Sequence, residues 1–282
     1  CNVICFVAIL AAGMLMLAFA AAKEVGGGVA ATGFRAWLAG LDAPALIVAL
    51  ALGTFGVAVY TFLLLPEFAM RFAAVTLTNT LYKLRIKGAE YVPEHGPALL
   101  VANHVSFVDG FLISACCSRH IRFLMHQDYY RMPWFHPFVK WLGFIEVPAG
   151  ASPGALRRMF EAAQAALREG HVVCVFPEGK LTRNGVMDEF RGGFARMLPE
   201  DLDVPVIPVR LGMVWGSIFS YYHGRVRPRI PMELPHPAAI TFGPPVPRDI
   251  TPFALRQVIS RLAAETEMIP RDEERPLHYQ FA

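Results

Sequence analysis

The sequence predicts an α/β domain with a mostly parallel central sheet flanked by helices, preceded by two transmembrane helices. Three observations predict this fold class. The composition is strongly apolar, and two long uncharged stretches lie within the first 66 residues. After them, short apolar runs of strand length alternate with helical patterns, which is typical of a parallel sheet. We expect the two transmembrane helices and their loop in residues 1–66, the α/β domain in residues 67–269 and a linker or tail in residues 270–282.

The composition limits the classes of protein to consider. The 282 residues are 55% hydrophobic and 17% charged, and their mean hydropathy of +0.41 argues against a wholly soluble protein. A net charge of +3 is too small to indicate nucleic-acid binding, and no aromatic-basic recognition motif is present. The five cysteines form no CxxC pair, which predicts reduced, buried thiols in a protein that faces the cytosol.

The two uncharged stretches are residues 1–22 and 43–66, and each has about the ~20 residues that cross a bilayer. A buried core helix is the alternative for either stretch. Basic residues outnumber acidic ones just after residue 66, so the positive-inside rule places the α/β domain on the cytoplasmic side of the inner or plasma membrane. The chain starts at Cys1 without a basic leader, and we expect it to be part of a longer protein.

The first half of the α/β domain contains four strand candidates. Residues 67–82 are mildly amphipathic and predict an interfacial helix, or else a continuation of the second span. The run SFVDGFLISACC predicts a helix. The strand candidates are an edge strand in KLRIKGAEYVP, a buried strand in PALLVAN, and two more in IRFLMH and FIEVP.

The second half contains the strongest helix signal, from Ser152 to Leu167. Ser152 is a candidate N-cap, Pro153 occupies the first helical position, and Gly170 follows the end. A final helix begins at Thr251 and Pro252, with an apolar face of Phe253, Leu255, Val258, Ile259 and Leu262. Strands are predicted in HVVCVF, in the proline-interrupted VPVIPV and in AAITFG.

Polar residues with chemical potential follow two of these strands. His104 comes directly after PALLVAN, and Glu178 follows HVVCVF, so the carboxyl ends of parallel strands would bring them to one sheet edge. Histidine exchanges its proton near neutral pH, and Asp109 stands about one helical turn further on. Its carboxylate is placed to accept the Nδ1 proton, leaving Nε2 to act as a base. A surface or capping role is the alternative for the pair. Because no G-x-S-x-G elbow is present, the nucleophile is better sought in a substrate hydroxyl.

Three motifs together resemble the glycerolipid acyltransferases, typified by 1-acylglycerol-3-phosphate acyltransferase. The resemblance covers about residues 67 to 268 and is carried by Asn103-His104 with Asp109, by Phe176-Pro177-Glu178-Gly179 and by Val204-Pro205-Val206-Ile207-Pro208. The segments FPEGKLTRNG and GMVWGSIFS are similar to the acyltransferase domain of the bifunctional 2-acylglycerophosphoethanolamine acyltransferase / acyl-carrier-protein synthetase group. In some members of that group a lysophospholipid transporter precedes this domain and a ligase follows it. The resemblance then implies that the two spans are the last helices of a fused transporter.

The resemblance implies transfer of a fatty acyl group from acyl-carrier protein or acyl-CoA to the hydroxyl of a lysophospholipid. It implies His104 as general base and Asp109 as its orienting partner, with no metal and no redox cofactor. The acceptor is then expected to contact Glu178, Gly179, Lys180, Arg183 and Arg191.

Two departures from the family pattern concern the acceptor. Many members carry an arginine two residues after the F-P-E-G glycine, where this chain has Leu181, and a second in a segment that here reads GFIEVPAG. Fewer arginines favour a phosphodiester acceptor over the doubly charged monoester of lysophosphatidic acid. Alternatively, Lys180, Arg183 or Arg191 replaces them.

Other functions remain as alternatives. A 1-acylglycerol-3-phosphate acyltransferase is the alternative within the same class. The C-terminal piece of a lysophospholipid transporter with a regulatory appended domain is an alternative of another class, and a lipid-ester hydrolase is a third. Two clusters have more than one possible role. An aromatic cluster suits core packing, an acyl groove or contact with the bilayer, and it consists of Trp134, Phe135, Phe138 and Trp141. A basic cluster suits a solvated edge strand or contact with lipid phosphates or an acidic carrier protein, and it consists of Arg225, Arg227 and Arg229.

Overall fold

The computed structural model describes residues 48, 51–57, 59–60, 74–76, 78, 80–150, 152–222, 224 and 235–267. The predicted span 1–22, the tail 270–282 and the arginines 225, 227 and 229 lie outside the described residues. Within the predicted span 43–66, positions 48, 51–57, 59 and 60 are described, and they are helical. Among the residues that are described, no helix has the length and apolar character to cross a membrane. The chain divides into two units, Cys1–Leu65 and Pro66–Ala282.

A seven-stranded sheet organises the described part of the second unit, in the order β1-β7-β6-β2-β5-β3-β4. All of its strand pairs are parallel except β6–β7, which is antiparallel. This arrangement confirms the prediction of a mostly parallel central sheet. The strands are β1 Tyr82–Lys87, β2 Ala98–Ala102, β3 Ile121–His126, β4 Ile145–Val147, β5 Val172–Val175, β6 Val206–Gly212 and β7 His236–Phe242.

The central strands are the uninterrupted apolar runs of the sequence. Every residue of β2 and β5 is buried, because helices cover both faces of a parallel sheet. The strand predicted at the edge, β1, does lie at one end of the sheet. Strand β6 passes through Pro208 instead of being interrupted by it. The Pro208 carbonyl accepts the Gly243 N–H at 2.8 Å, just beyond the first residue pair of β6 and β7. Proline has no backbone N–H, and this missing hydrogen-bond donor therefore falls at the end of the β6–β7 pairing.

The helices that follow β1 vary in length from one turn to more than four. They are α1 Asp109–Cys116, α2 Gln127–Tyr130, α3 His136–Trp141, α4 Pro153–Arg168 and α5 Pro252–Glu267, with 3-10 turns at Ala89–Tyr91 and Gly192–Met197. Helix α4 confirms the prediction made from Ser152 and Pro153, but the Ser152 side chain makes no capping hydrogen bond. In α5, Leu255, Ile259 and Leu262 are buried as predicted. Phe253 was wrongly placed on the apolar face and is 70% exposed, because it lies in the first turn.

Two hydrophobic clusters cover the two faces of the sheet, and β2 contributes alternately to both. Leu99 and Val101 join the cluster that contains the buried faces of α4 and α5. Leu100 and Ala102 join the cluster that contains α1. The second unit therefore has helices on both faces of its sheet, as predicted.

The described cysteines and the aromatic cluster settle two sequence questions. Cys116, Cys117 and Cys174 are buried and form no disulfide bond, and burial raises the pKa of the Cys116 and Cys174 thiols, which makes them poor nucleophiles. Core packing holds for the half-buried Phe138 and Trp141, which contact the cluster around α1. It fails for Trp134, whose side chain is 78% exposed.

Candidate active site

The loops that follow β2 and β5 meet at one edge of the sheet. These strands are parallel neighbours, so their carboxyl ends lie side by side. His104 stands two residues beyond the end of β2, and Glu178 stands three residues beyond the end of β5. The Glu178 carboxylate accepts the His104 backbone N–H at 2.8 Å. The predicted meeting of these two polar clusters is therefore present in the structure.

Asn103 fixes the chain where it leaves the sheet. Its side chain is buried, and its amide donates to the Leu211 carbonyl at 3.1 Å and accepts the Leu211 N–H at 2.7 Å. The side-chain amide therefore makes the same pair of hydrogen bonds to β6 that a paired backbone residue would make at the end of β2. This contact sets the direction in which His104 departs from the sheet.

The His104 ring is held between a carboxylate and an aromatic ring. Nδ1 lies 2.9 Å from Asp109 Oδ2. The His104 side chain is 23% exposed, whereas that of Asp109 is fully buried at 0%. The imidazole stacks on the Phe176 ring at 4.1 Å between centroids, with 14° between the planes. A carboxylate on Nδ1 holds the proton there and leaves Nε2 as the acceptor nitrogen.

Asp109 both orients the His104 ring and holds the turn that precedes α1. Besides His104, its carboxylate accepts the N–H groups of Val105 at 2.6 Å and Ser106 at 2.9 Å, and the Ser106 hydroxyl at 2.8 Å. The Ser106 hydroxyl also accepts the Val108 N–H at 3.3 Å. These contacts resemble a capping box, but they lie in the turn before α1, whose N-cap residue is Val108 and has no side-chain cap. The helix α1 starts at Asp109 rather than at Ser106 as predicted, and Asp109 orients His104 while it holds this turn together.

Glu178 is buried, with its carboxylate on backbone donors. It is 2% exposed, and its second oxygen accepts the Asp188 N–H at 2.9 Å. Burial raises the pKa of Glu178, and the N–H donors of Asp188 and His104 oppose this rise in part. The family resemblance implies a role for Glu178 in acceptor binding, which stays a prediction, and its hydrogen bonds in the structure are to the protein backbone.

Gly179 and Arg191 are brought together on the loop after Glu178. Gly179 has φ +69°, a left-handed conformation that favours glycine, and a Cβ there would lie 3.2 Å from the Arg191 guanidinium carbon, so the arginine side chain would have to shift slightly. The Arg191 N–H donates to the Pro177 carbonyl at 3.0 Å, which fixes the backbone of Arg191 beside the F-P-E-G turn.

The two other predicted cations take different partners. Lys180 Nζ lies 3.1 Å from Asp188 Oδ2 in an exposed ion pair. The Arg183 guanidinium stacks over the Tyr221 ring at 4.5 Å from its centroid. Lys180, Arg183 and Arg191 are all exposed on the loop that carries Glu178, whereas Leu181 is half-buried. Their roles in binding the acceptor stay predictions.

The segment 214–222 covers the loop that carries His104. Ser220 forms a β-bridge with Ser106, and the Phe107 N–H donates to the Phe219 carbonyl at 3.2 Å. The exposed Phe107 ring lies 5.9 Å from Tyr129 and 6.0 Å from Tyr221. These three aromatic rings lie beside the loop that carries His104.

Several site residues were missed by sequence reasoning. Ser106 had a visible signal, because serine three residues before aspartate is a capping-box pattern. The stacking of Phe176 and the backbone contact of Thr182, whose N–H donates to the His104 carbonyl at 3.0 Å, had no such signal. In the part of the chain that the structure describes, no group of three or more His, Cys, Asp or Glu side chains is arranged to hold a metal ion. The expectation that no metal is needed stays a prediction.

His104 and Asp109 supply a base and its orienting carboxylate, and neither of them is a side-chain nucleophile. An imidazole whose Nδ1 is fixed by a buried carboxylate can take a proton at Nε2. The group that loses this proton then comes from a substrate bound at the carboxyl edge of the sheet.

Comparison with known proteins identifies the class. Residues 83–212 match the Acyltransferase family. A 1-acyl-sn-glycerol-3-phosphate acyltransferase of Pseudomonas aeruginosa is 28% identical over 160 residues, which are 55% of this chain and 61% of that protein. The alpha form of the enzyme with that name from Ovis aries is 30% identical over 143 residues, which are 50% of this chain and 47% of that protein. Residues 83–212 are thus similar to the acyltransferase family, and this match and the relatives support an O-acyltransferase.

The extent of these similarities is limited. A chloroplastic 1-acyl-sn-glycerol-3-phosphate acyltransferase of Arabidopsis thaliana is 27% identical over 52% of this chain and 42% of its own length. The chain therefore spans about half the length of the relatives it matches. The crystal structure of the 1-acyl-sn-glycerophosphate (LPA) acyltransferase from Thermotoga maritima superposes with a TM-score of 0.51 at 20% identity, covering 73% of this chain and 79% of that one. This likeness confirms the fold.

Proposed function

We propose that the chain transfers a fatty acyl group from acyl-carrier protein or acyl-CoA to the free hydroxyl of a lysophospholipid at the membrane surface. One observation carries the proposal: His104 Nδ1 lies 2.9 Å from the buried Asp109 carboxylate. This pair stands at the carboxyl edge of the sheet, within the segment that matches the acyltransferase family.

The proposed reaction proceeds in balanced steps. His104 Nε2 takes the proton of the acceptor hydroxyl as its oxygen attacks the thioester carbonyl carbon. The new carbon–oxygen bond forms, the carbon–sulfur bond breaks, and the imidazolium returns its proton to the departing thiolate. Asp109 stabilises the imidazolium, because its negative charge is held in place by the N–H groups of Val105 and Ser106.

Two lysophospholipid acceptors have independent support. The relatives are named as 1-acyl-sn-glycerol-3-phosphate acyltransferases, which favours lysophosphatidic acid. The chain has Leu181 at the expected arginine position, and Lys180 is already paired with Asp188, which favours a singly charged phosphodiester such as lysophosphatidylethanolamine. The relatives are matched over about half of their length. We therefore take lysophosphatidic acid, the acceptor in their names, as the first acceptor to assay, and the phosphodiester as the second.

The membrane location and the wider context are further parts of the proposal. The basic excess after residue 66 supports a catalytic domain on the cytoplasmic side of the membrane. The exposed Trp134, with the exposed Arg131 and Lys140 nearby in sequence, supports contact between this region and lipid head groups. Fusion to a transporter and a ligase in a longer protein rests on the sequence resemblance alone.

The test is an acyl-transfer assay on the detergent-solubilised chain. Labelled acyl-carrier protein or acyl-CoA is supplied with lysophosphatidic acid or lysophosphatidylethanolamine, and phospholipid and free fatty acid are both measured. We expect labelled phospholipid from the wild type and its loss in His104→Ala. His95→Ala is the matched control, because His95 is an exposed histidine on the loop before β2.

Each outcome has a separate meaning. Preference for lysophosphatidylethanolamine supports the diester argument, and preference for lysophosphatidic acid refutes it while keeping the mechanism. Release of free fatty acid without phospholipid would identify a hydrolase. Equal activity in His104→Ala and His95→Ala would show that the His104–Asp109 pair is structural. No product from any donor and acceptor would favour the appended domain of a transporter.

A further inference from the structure

The loop after β5 holds His104 from three directions. Glu178 accepts its backbone N–H at 2.8 Å, the Thr182 N–H donates to its backbone carbonyl at 3.0 Å, and the Phe176 ring stacks on its imidazole. We infer that Glu178 is a positioning residue, which places the catalytic base through the His104 backbone instead of binding the acceptor. The inference rests on the proposed acyl transfer, and its experiment also tests the contact without that activity.

The contacts of Glu178 explain why this position holds a carboxylate. Two backbone N–H groups, those of His104 and Asp188, point at the side chain, one at each oxygen. A carboxylate accepts both, whereas an amide presents one oxygen and one NH₂ group that is itself a donor. Glutamine at this position therefore satisfies one N–H and opposes the other.

The burial of Glu178 argues against direct contact with the acceptor. Its side chain is 2% exposed, and the bond to the Asp188 N–H prevents the carboxylate from turning outward without leaving a buried donor unpaired. The exposed groups on the same loop are Lys180, Arg183 and Arg191. Contacts to a substrate phosphate therefore fall to these cations, and Glu178 acts on the reaction only through His104.

A positioning role and a binding role change different kinetic constants. Loss of positioning displaces the base in every enzyme–acceptor complex, so it lowers kcat and leaves the acceptor KM unchanged. Loss of a binding contact raises the acceptor KM. A displacement of about 1 Å at a reacting group costs on the order of 10²-fold in rate. We expect about that loss of kcat in Glu178→Ala and a smaller loss in Glu178→Gln, which keeps one of the two bonds.

The experiment compares these two variants with the wild type in saturation kinetics for the acceptor. Ile121→Val serves as the control for a general loss of stability, because it removes one buried methyl group at the amino end of β3, opposite the site. The inference requires a fall in kcat at constant KM, in the order Ala below Gln, with Ile121→Val near wild type. A raised acceptor KM at constant kcat would overturn it and restore Glu178 to acceptor binding.

Hydrogen exchange supplies a readout that needs no catalysis. The His104 amide is protected by Glu178 in the structure, so peptides that contain it exchange faster in both Glu178 variants and unchanged in Ile121→Val. If the wild type transfers no acyl group, the proposed function fails. Faster exchange in the Glu178 variants would still show that Glu178 holds the His104 backbone. Unchanged exchange in Glu178→Ala refutes the positioning role, whatever the wild-type activity.

Discussion

Asp109→Asn separates the catalytic charge of this residue from its structural hydrogen bonds. Asp109 Oδ2 accepts from His104, Val105 and Ser106, while Oδ1 faces only the Ser106 hydroxyl. Asparagine can place its oxygen at the Oδ2 position and its NH₂ group against the Ser106 hydroxyl, which is able to turn and accept. The substitution thus keeps the N–H groups of Val105 and Ser106 and the His104 Nδ1–H paired and removes the negative charge, while the Ser106 O–H loses its acceptor.

The size of the expected effect follows from the geometry. At 2.9 Å between Nδ1 and Oδ2, the charge centres of imidazolium and carboxylate are about 4 Å apart. Their attraction is then about 4 kcal/mol at the effective dielectric constant of roughly 20 that suits such sites. Because ~1.4 kcal/mol corresponds to a tenfold change in rate, we expect kcat to fall by about 10³-fold in Asp109→Asn. Asp109→Ala is a poorer probe, since it leaves the N–H groups of Val105 and Ser106 unpaired at about 1–3 kcal/mol each.

The assay measures acyl transfer and thermal unfolding of the same detergent preparations. We expect Asp109→Asn to stay folded with a modestly lower melting transition, because of its hydrogen bonds only the one from the Ser106 O–H is lost, while kcat falls. His104→Ala and the double variant should show nearly the same loss of kcat, because the two residues act as one unit. A kcat of Asp109→Asn within a few-fold of wild type would refute the reasoning and leave Asp109 with a structural role in the turn before α1.

Three further predictions concern neighbouring features. Ser106→Ala should lower the unfolding free energy by about 1 kcal/mol through loss of the hydrogen bonds of its hydroxyl to Asp109 and the Val108 N–H, with a smaller effect on kcat than Asp109→Asn, as measured by chemical unfolding and saturation kinetics. The raised pKa of Glu178 means that the folded state holds this proton to higher pH than the unfolded state, so its contribution to stability is complete at acid pH and declines as pH rises through the folded pKa. The unfolding free energy of the wild type, compared with that of Glu178→Gln, which does not titrate, should therefore fall as the pH rises above the ordinary glutamate pKa. A rise would contradict the raised pKa of Glu178. In vesicles with brominated lipids, quenching of tryptophan fluorescence should drop in Trp134→Phe and stay unchanged in Phe253→Ala, an exposed aromatic on α5; equal quenching in all three proteins would exclude Trp134 from the bilayer.

The strands of the sheet were predictable because burial on two faces leaves a simple signature. Strands β2 and β5 are continuous apolar runs in the sequence, and both are completely buried. The region between β3 and β4 was not predictable in the same way. Helices α2 and α3 have four and six residues, which is too short for a 3.6-residue period to repeat, and Phe138 and Trp141 of α3 pack against the cluster around α1.

The site was predictable where a rule links chain position to space. Parallel strands place their carboxyl ends together, and this alone brought His104 and Glu178 to one edge. The same rule says nothing about which atoms touch. The Asn103 amide binds the backbone of Leu211, 108 residues away, and the Glu178 carboxylate binds the backbone of His104, 74 residues away. Contacts between a side chain and a distant backbone leave no period or composition in the sequence, so neither was foreseen.

The position of His104 is determined by three strands rather than by its own loop. It follows β2, which lies between β6 and β5 in the sheet. Asn103 ties its upstream neighbour to β6, and Glu178 ties its backbone to the loop after β5. The turn before α1 then fixes the carboxylate that orients its ring. A shift of β2 against either neighbour would therefore move the imidazole relative to Asp109, so the geometry of the base depends on the order of the central strands, at the edge where ligands bind in open α/β sheets.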